Sequence, residues 1–182
     1  MKSRLLTTIL AALAFAGILR PQVPVIVDSP GFREFTNRVN DYLTMQKAVP
    51  RIRNTKQRKE IFDRREALAQ KIRETRATAK PGDIFTPAGT EEFRKVIRSA
   101  FQGTGAPNIR KTIRQGEPLQ GWHLTLNASY PEHFPMTTVP PTLLRRLPQL
   151  PSSVAYRIIG HDFVLQDTEA RVVIDFIAGI IP

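Results

Sequence analysis

The chain has no cysteine among its 182 residues. That absence excludes disulfides, thiolate metal centres, cysteine nucleophiles and iron–sulfur clusters, and it removes lipid attachment at a processed N-terminal cysteine. Histidine is scarce: His123, His133 and His161. No two of them show the i,i+4 or H-x-H spacing that brings two imidazoles to one metal, so no metal site is expected. Gly103-Thr104-Gly105 lacks the downstream glycine and lysine of a phosphate-cradling loop, and no G-x-S-x-G elbow surrounds Ser129 or Ser152-Ser153. Acidic residues are in the minority, 16 against 27 Lys and Arg, for a formal charge of +11. No cofactor is implied by any of this, and no residue is assigned a catalytic role.

What the chain does have begins at its first residue. Lys2 and Arg4 precede an uncharged apolar run, Leu5 to Leu19, closed by Arg20 and Pro21, with small residues in an A-x-A pattern at Ala14 and Ala16. This is the layout of a secretory signal peptide, predicted to span residues 1–16 with cleavage after Ala16. A membrane-spanning helix needs roughly 20 apolar residues, which this run does not reach, so an uncleaved anchor is the lesser alternative. Residues 17–28 then read as an extended arm. Residues 29–182 read as one domain, long enough to bury a core without staples. The expected location is outside the cytoplasm, periplasmic or secreted.

Helical signals fill residues 29–115. Ser29-Pro30 and Thr86-Pro87 each pair a capping hydroxyl with a proline at the first helical position. Phe32, Phe35, Val39 and Tyr42-Leu43 follow the first pair at helical spacing up to about Lys47. Phe93, Val96, Ile97, Ala100 and Phe101 follow the second. Between them lies a helix expected from about Asn54 towards Lys80, with Ile61, Leu68 and Ile72 on a narrow apolar face. A short helix is expected over Asn108 to Arg114. Residues 119–182 change character. Trp122, Leu124, Leu126 and Ala128 alternate with polar residues, as a half-buried strand would. Val154 to Ile159, Phe163 to Gln166 and Arg171 to Phe176 are separated by the turns Gly160-His161-Asp162 and Asp167 to Ala170. The fold class is therefore α+β, N-terminal helices packed on a small C-terminal antiparallel β-meander, with Leu126's segment able to join its edge.

Several segments together resemble a family of exported bacterial proteins of unknown function. They are Asp83-Ile84-Phe85-Thr86-Pro87, Thr138-Val139-Pro140-Pro141 with Leu143-Leu144, and Tyr156-Arg157-Ile158-Ile159-Gly160. Asp162, Leu165, Asp167 and Ile174-Asp175-Phe176 complete the set. The resemblance implies bacterial origin and export; it carries no activity, cofactor or catalytic residue.

Residues 51–80 hold eleven Lys and Arg against four Asp and Glu. Arg58, Lys59, Arg64, Arg73 and Arg76 are the candidate binding residues, acting electrostatically on an anionic envelope polymer or membrane headgroups. Nucleic acid is disfavoured, because Phe62 is the one aromatic in the stretch and acids are mixed throughout. The leading expectation is a non-catalytic binding or structural domain of the cell envelope. The alternative is a hydrolase-like enzyme using His161 with the carboxylates Asp162, Asp167, Glu169 and Asp175. Convergence of His161, Asp162 and Asp175 in one pocket would favour the enzyme; the alternatives for Asp175 are a solvent-facing position or a pair with Arg157 or Arg171.

Overall fold

A computed structural model of the chain describes residues 28–48, 58–114, 123–130 and 137–182. The expected signal peptide and Trp122 lie outside the described residues, as does nearly all of the arm. The elements are α1 (Pro30–Lys47), α2 (Arg58–Thr75), α3 (Pro87–Gln102), α4 (Ala106–Arg114), β1 (Thr137–Thr138), α5 (Pro141–Leu144), β2 (Val154–Ile159), β3 (Asp162–Asp167) and β4 (Val173–Ile177). The four strands form one antiparallel sheet in the order β1-β2-β3-β4. The α+β architecture, helices first and meander last, is the observed one.

Local chemistry sets the helix starts. Ser29 Oγ accepts the Phe32 N–H and Thr86 Oγ1 accepts the Gly89 N–H, satisfying donors that the first turn leaves without partners. The two capped ends then cross closely: a Cβ on Gly31 would lie 2.5 Å from the Ala88 carbonyl oxygen. Glycine is required there because only a bare Cα lets the backbones of α1 and α3 approach.

Helix α2 departs from expectation at both ends of its apolar face. Leu68, Ala69 and Ile72 are buried, but Ile61 is 43% and Phe62 56% exposed. The helix stops at Thr75 rather than near Lys80. The reason is a competing acceptor use. The Arg76 carbonyl takes the Asn127 side-chain amide at 3.0 Å and the Ala79 N–H at 3.0 Å, which turns the chain out of helical register.

The core is a single helix–sheet interface. Phe32, Phe35 and Val39 of α1 and Phe93 and Ile97 of α3 pack on Tyr156, Ile158, Phe163, Leu165 and Ile174. Phe93 is its hub, with ring centroids 4.9 to 5.0 Å from Phe35, Phe32 and Phe85, and under 6 Å from Tyr156 and Phe163. The opposite sheet face carries a smaller cluster of Ile159, Val164 and Val173 under Tyr130 and Leu124.

The strand expected around Leu126 does not form. Asn127 adopts a left-handed backbone (φ 59°), which ends the alternation in a turn. Residues 127–130 instead run beside β4, joined by the Ser129–Val172 bridge and backbone bonds to Arg171 and Val173. The strand that completes the sheet is β1, on the other edge, within the stretch from Tyr130 to Pro141 that reads as a proline-rich loop.

Register explains where Asp175 points. Leu165 pairs with Asp175 but Gln166 pairs with Val173, so Ile174 is the extra residue of a bulge in β4. Directly opposed residues share a face, so Asp175 lies on the helix side with Leu165. The bulge lets Ile174 join the same core.

Candidate functional site

Two fully buried carboxylates join the helices to the sheet. Asp167 Oδ2 accepts the Tyr42 hydroxyl and the Gln46 amide, each at 2.6 Å. Its Oδ1 accepts the Glu169 and Ala170 N–H groups at 2.8 and 2.7 Å, closing the β3–β4 turn. Asp175 accepts the N–H groups of Gly82, Ile84 and Phe85 at 3.0, 2.8 and 2.7 Å, and that of Phe176 at 2.8 Å. Each carboxylate thus meets four donors, which is how a buried charge is tolerated. Asp175 neither faces solvent nor pairs with Arg157 or Arg171 as its main partner; it organises the turn before α3.

Tyr42 lies within this network. Burial first, and then the charge and hydrogen bond of Asp167, push its phenol far above the ordinary value. The guanidinium of Arg76 sits 5.4 Å from the centre of the Tyr42 ring and donates to Asn127 Oδ1 and the Ile174 carbonyl, each at 2.9 Å. Burial lowers the Arg76 pKa, partly offset by Tyr42, Asp175 and Asp83.

The phenol gives stability a defined pH limit. Folded Tyr42 keeps its proton above pH 10, where the unfolded chain releases it, and Tyr156 is displaced upwards too, by burial alone. Their contribution is whole below pH 10 and falls as pH rises beyond it, by about 1.4 kcal/mol per pH unit for each phenol. Urea midpoints measured from pH 8 upwards should therefore stay level and then drop steeply above about pH 10. Tyr42→Phe should make that drop shallower; an unchanged slope in both Tyr42→Phe and Tyr156→Phe would disprove the assignment.

The groups of the hydrolase alternative do not converge. His161 is exposed at the β2–β3 hairpin, where Nδ1 donates to the Ile181 carbonyl at 2.8 Å. Asp162 accepts the Gly179 N–H at 2.8 Å, so the pair ties down the C-terminal residues. Asp167 stands at the far end of the same strand, roughly 17 Å away. Asp175 is turned into the core under the 82–85 turn. Glu169 pairs with Arg64 at 3.3 Å. Among the described residues no group of three His, Asp or Glu is placed to hold a metal ion, and no helix is long and apolar enough to cross a membrane.

The five candidate cations occupy different settings. Arg58 opens α2, and its side chain lies outside the described residues. Lys59 is exposed and bonds Asp63 at 2.7 Å, which raises its pKa. Arg64 reaches Glu169, and Arg73 bonds Glu66 at 2.9 Å and also contacts Gln70 and Ser129. Arg76 is partly exposed, but its guanidinium is turned inward to Asn127 and Ile174. Within α2 itself six cations face four acids; Arg51, Arg53 and Lys56, which supply much of the local excess, precede the helix.

Sequence reasoning passed over a groove. It has a volume of about 810 Å³ and runs between the β2 edge and the chain that leaves β1. Val139, Leu144, Leu147, Leu150 and Val154 give it apolar walls, and Arg145 and Arg157 also line it. Its origin is local. Pro140-Pro141 cannot continue β1 as a paired strand, because proline has no N–H to donate, so the chain turns into α5 and away from β2. Pro140-Pro141 and the following Leu-Leu-Arg-Arg run were the available signal, legible as a helical turn but not as a wall. Arg157 is half-buried, which lowers its pKa, and its Nη1 donates to the Tyr156 carbonyl at 3.0 Å.

Comparison with family models, curated proteins and solved structures found no match to this chain.

Proposed function

We propose that this is an exported bacterial protein that works as a non-catalytic binding or structural domain of the cell envelope, delivered by cleavage of residues 1–16. One observation carries the non-catalytic part. The acid–base side chains that an enzyme would need are spent on structural hydrogen bonds: Asp167 accepts two from side chains and two from the backbone, Asp175 accepts four from the backbone, and His161 and Asp162 hold the C-terminal residues. The cation excess of residues 51–80 supports the binding part. Exposed ion pairs such as Lys59–Asp63 are weak and screened by solvent, so a polyanion can displace them. The partner class is an anionic envelope polymer or phospholipid headgroups.

Co-sedimentation of the full chain with phosphatidylglycerol vesicles, against phosphatidylcholine vesicles, tests this reading. Binding is expected when the Debye length is near 30 Å and should fade as salt shortens it to about 8 Å. Lys59→Glu combined with Arg73→Glu should weaken it. No binding at low salt, or no loss in the double variant, would overturn the assignment of that surface.

A further inference from the structure

We propose that the groove beside β2 is a binding site for a single-chain anionic amphiphile of the fatty-acid type. Its carboxylate is held by Arg145 and Arg157, and its alkyl chain lies along Leu144, Leu147 and Leu150. At about 810 Å³ the groove falls within the range of small-molecule sites, roughly 300–1,000 Å³. Its lining includes no Asp or Glu, and among the described residues neither arginine has a carboxylate at ion-pair distance. A half-buried guanidinium beside apolar walls lacks much of its hydration, so a carboxylate that accepts two parallel N–H bonds is the complementary guest. Leu144 is 46% exposed on the groove wall, one of three large apolar side chains left in solvent among the described residues. An alkyl chain would cover it.

An extended peptide fits less well. Adding a strand requires open backbone groups on the β2 edge. There the Tyr156 carbonyl already accepts Arg157 Nη1, and the Val154 N–H already donates to Pro151 at 3.0 Å. The groove offers charge and apolar surface rather than a ladder to extend.

Calorimetric titration of the full chain with dodecanoate, below micelle formation, tests the site. Saturable binding at one site is expected, with dodecanol and dodecyltrimethylammonium at least about tenfold weaker, because neither offers the arginines a carboxylate. Arg145→Gln and Leu144→Asp alter exposed positions and should leave the fold intact while weakening dodecanoate about tenfold. Equal affinity for the alcohol, or wild-type affinity in both Arg145→Gln and Arg157→Gln, would overturn the proposal. Lys59→Glu with Arg73→Glu should not alter dodecanoate binding, so the groove and the vesicle-binding surface succeed or fail separately.

Discussion

Asp175→Ala is expected to lower the unfolding free energy by about 3–5 kcal/mol, since it strands buried N–H donors that each cost about 1–3 kcal/mol without an acceptor. For a chain of this size each kcal/mol lowers the melting temperature by about 2–4 °C, so the loss should exceed about 6 °C. Asp175→Asn should not rescue the protein. All four partners of Asp175 are N–H donors, and an asparagine would aim its own NH₂ at two of them. Urea unfolding of the two variants side by side is the measurement. An asparagine variant with wild-type stability would mean that the carboxylate is not what holds the 82–85 turn.

Phe93→Ala is expected to cost about 3–5 kcal/mol, the usual range for removing a buried aromatic ring. Phe93 is fully buried, and five rings surround it: two from α1, one from the turn before α3, and one each from β2 and β3. The cavity would therefore open where helices, turn and sheet all meet, with no single neighbour free to collapse into it. Phe62→Ala in α2 is the internal control, because that ring is more than half exposed and should change stability by less than about 0.5 kcal/mol. Comparable losses in the two variants would contradict the core described here.

The legible parts of the fold are those decided by near neighbours. Ser29-Pro30 and Thr86-Pro87 start their helices as read, because the donor and acceptor lie three residues apart. The meander follows from β-branched runs interrupted by Gly160 and by Asp167, whose side chain closes its own turn. The illegible parts are decided at long range. Nothing near Asp175 announces that a bulge at Ile174 will turn it inward, or that its donors lie at residues 82–85. Ile61 sits on the apolar stripe of α2, yet it is left 43% exposed. The Leu124-Leu126 alternation is a true pattern on a chain that Asn127 bends away. The site divides in the same way. Charge density marks residues 51–80 at sight, whereas the groove exists only because the chain after Pro140 leaves the edge it had begun to pair with.

The two buried aspartates also set an order of events. Tyr42 and Gln46 meet their acceptor 125 and 121 residues downstream, and the turn before α3 waits for one more than 90 residues away. Contacts this distant in sequence slow folding, because the loop must close before it is rewarded. The helical half therefore emerges from synthesis with its key donors unanswered, and it cannot lock until β3 and β4 have followed. A chain truncated before Asp167 should be a loose, protease-sensitive helical ensemble, and the full chain a late and cooperative folder.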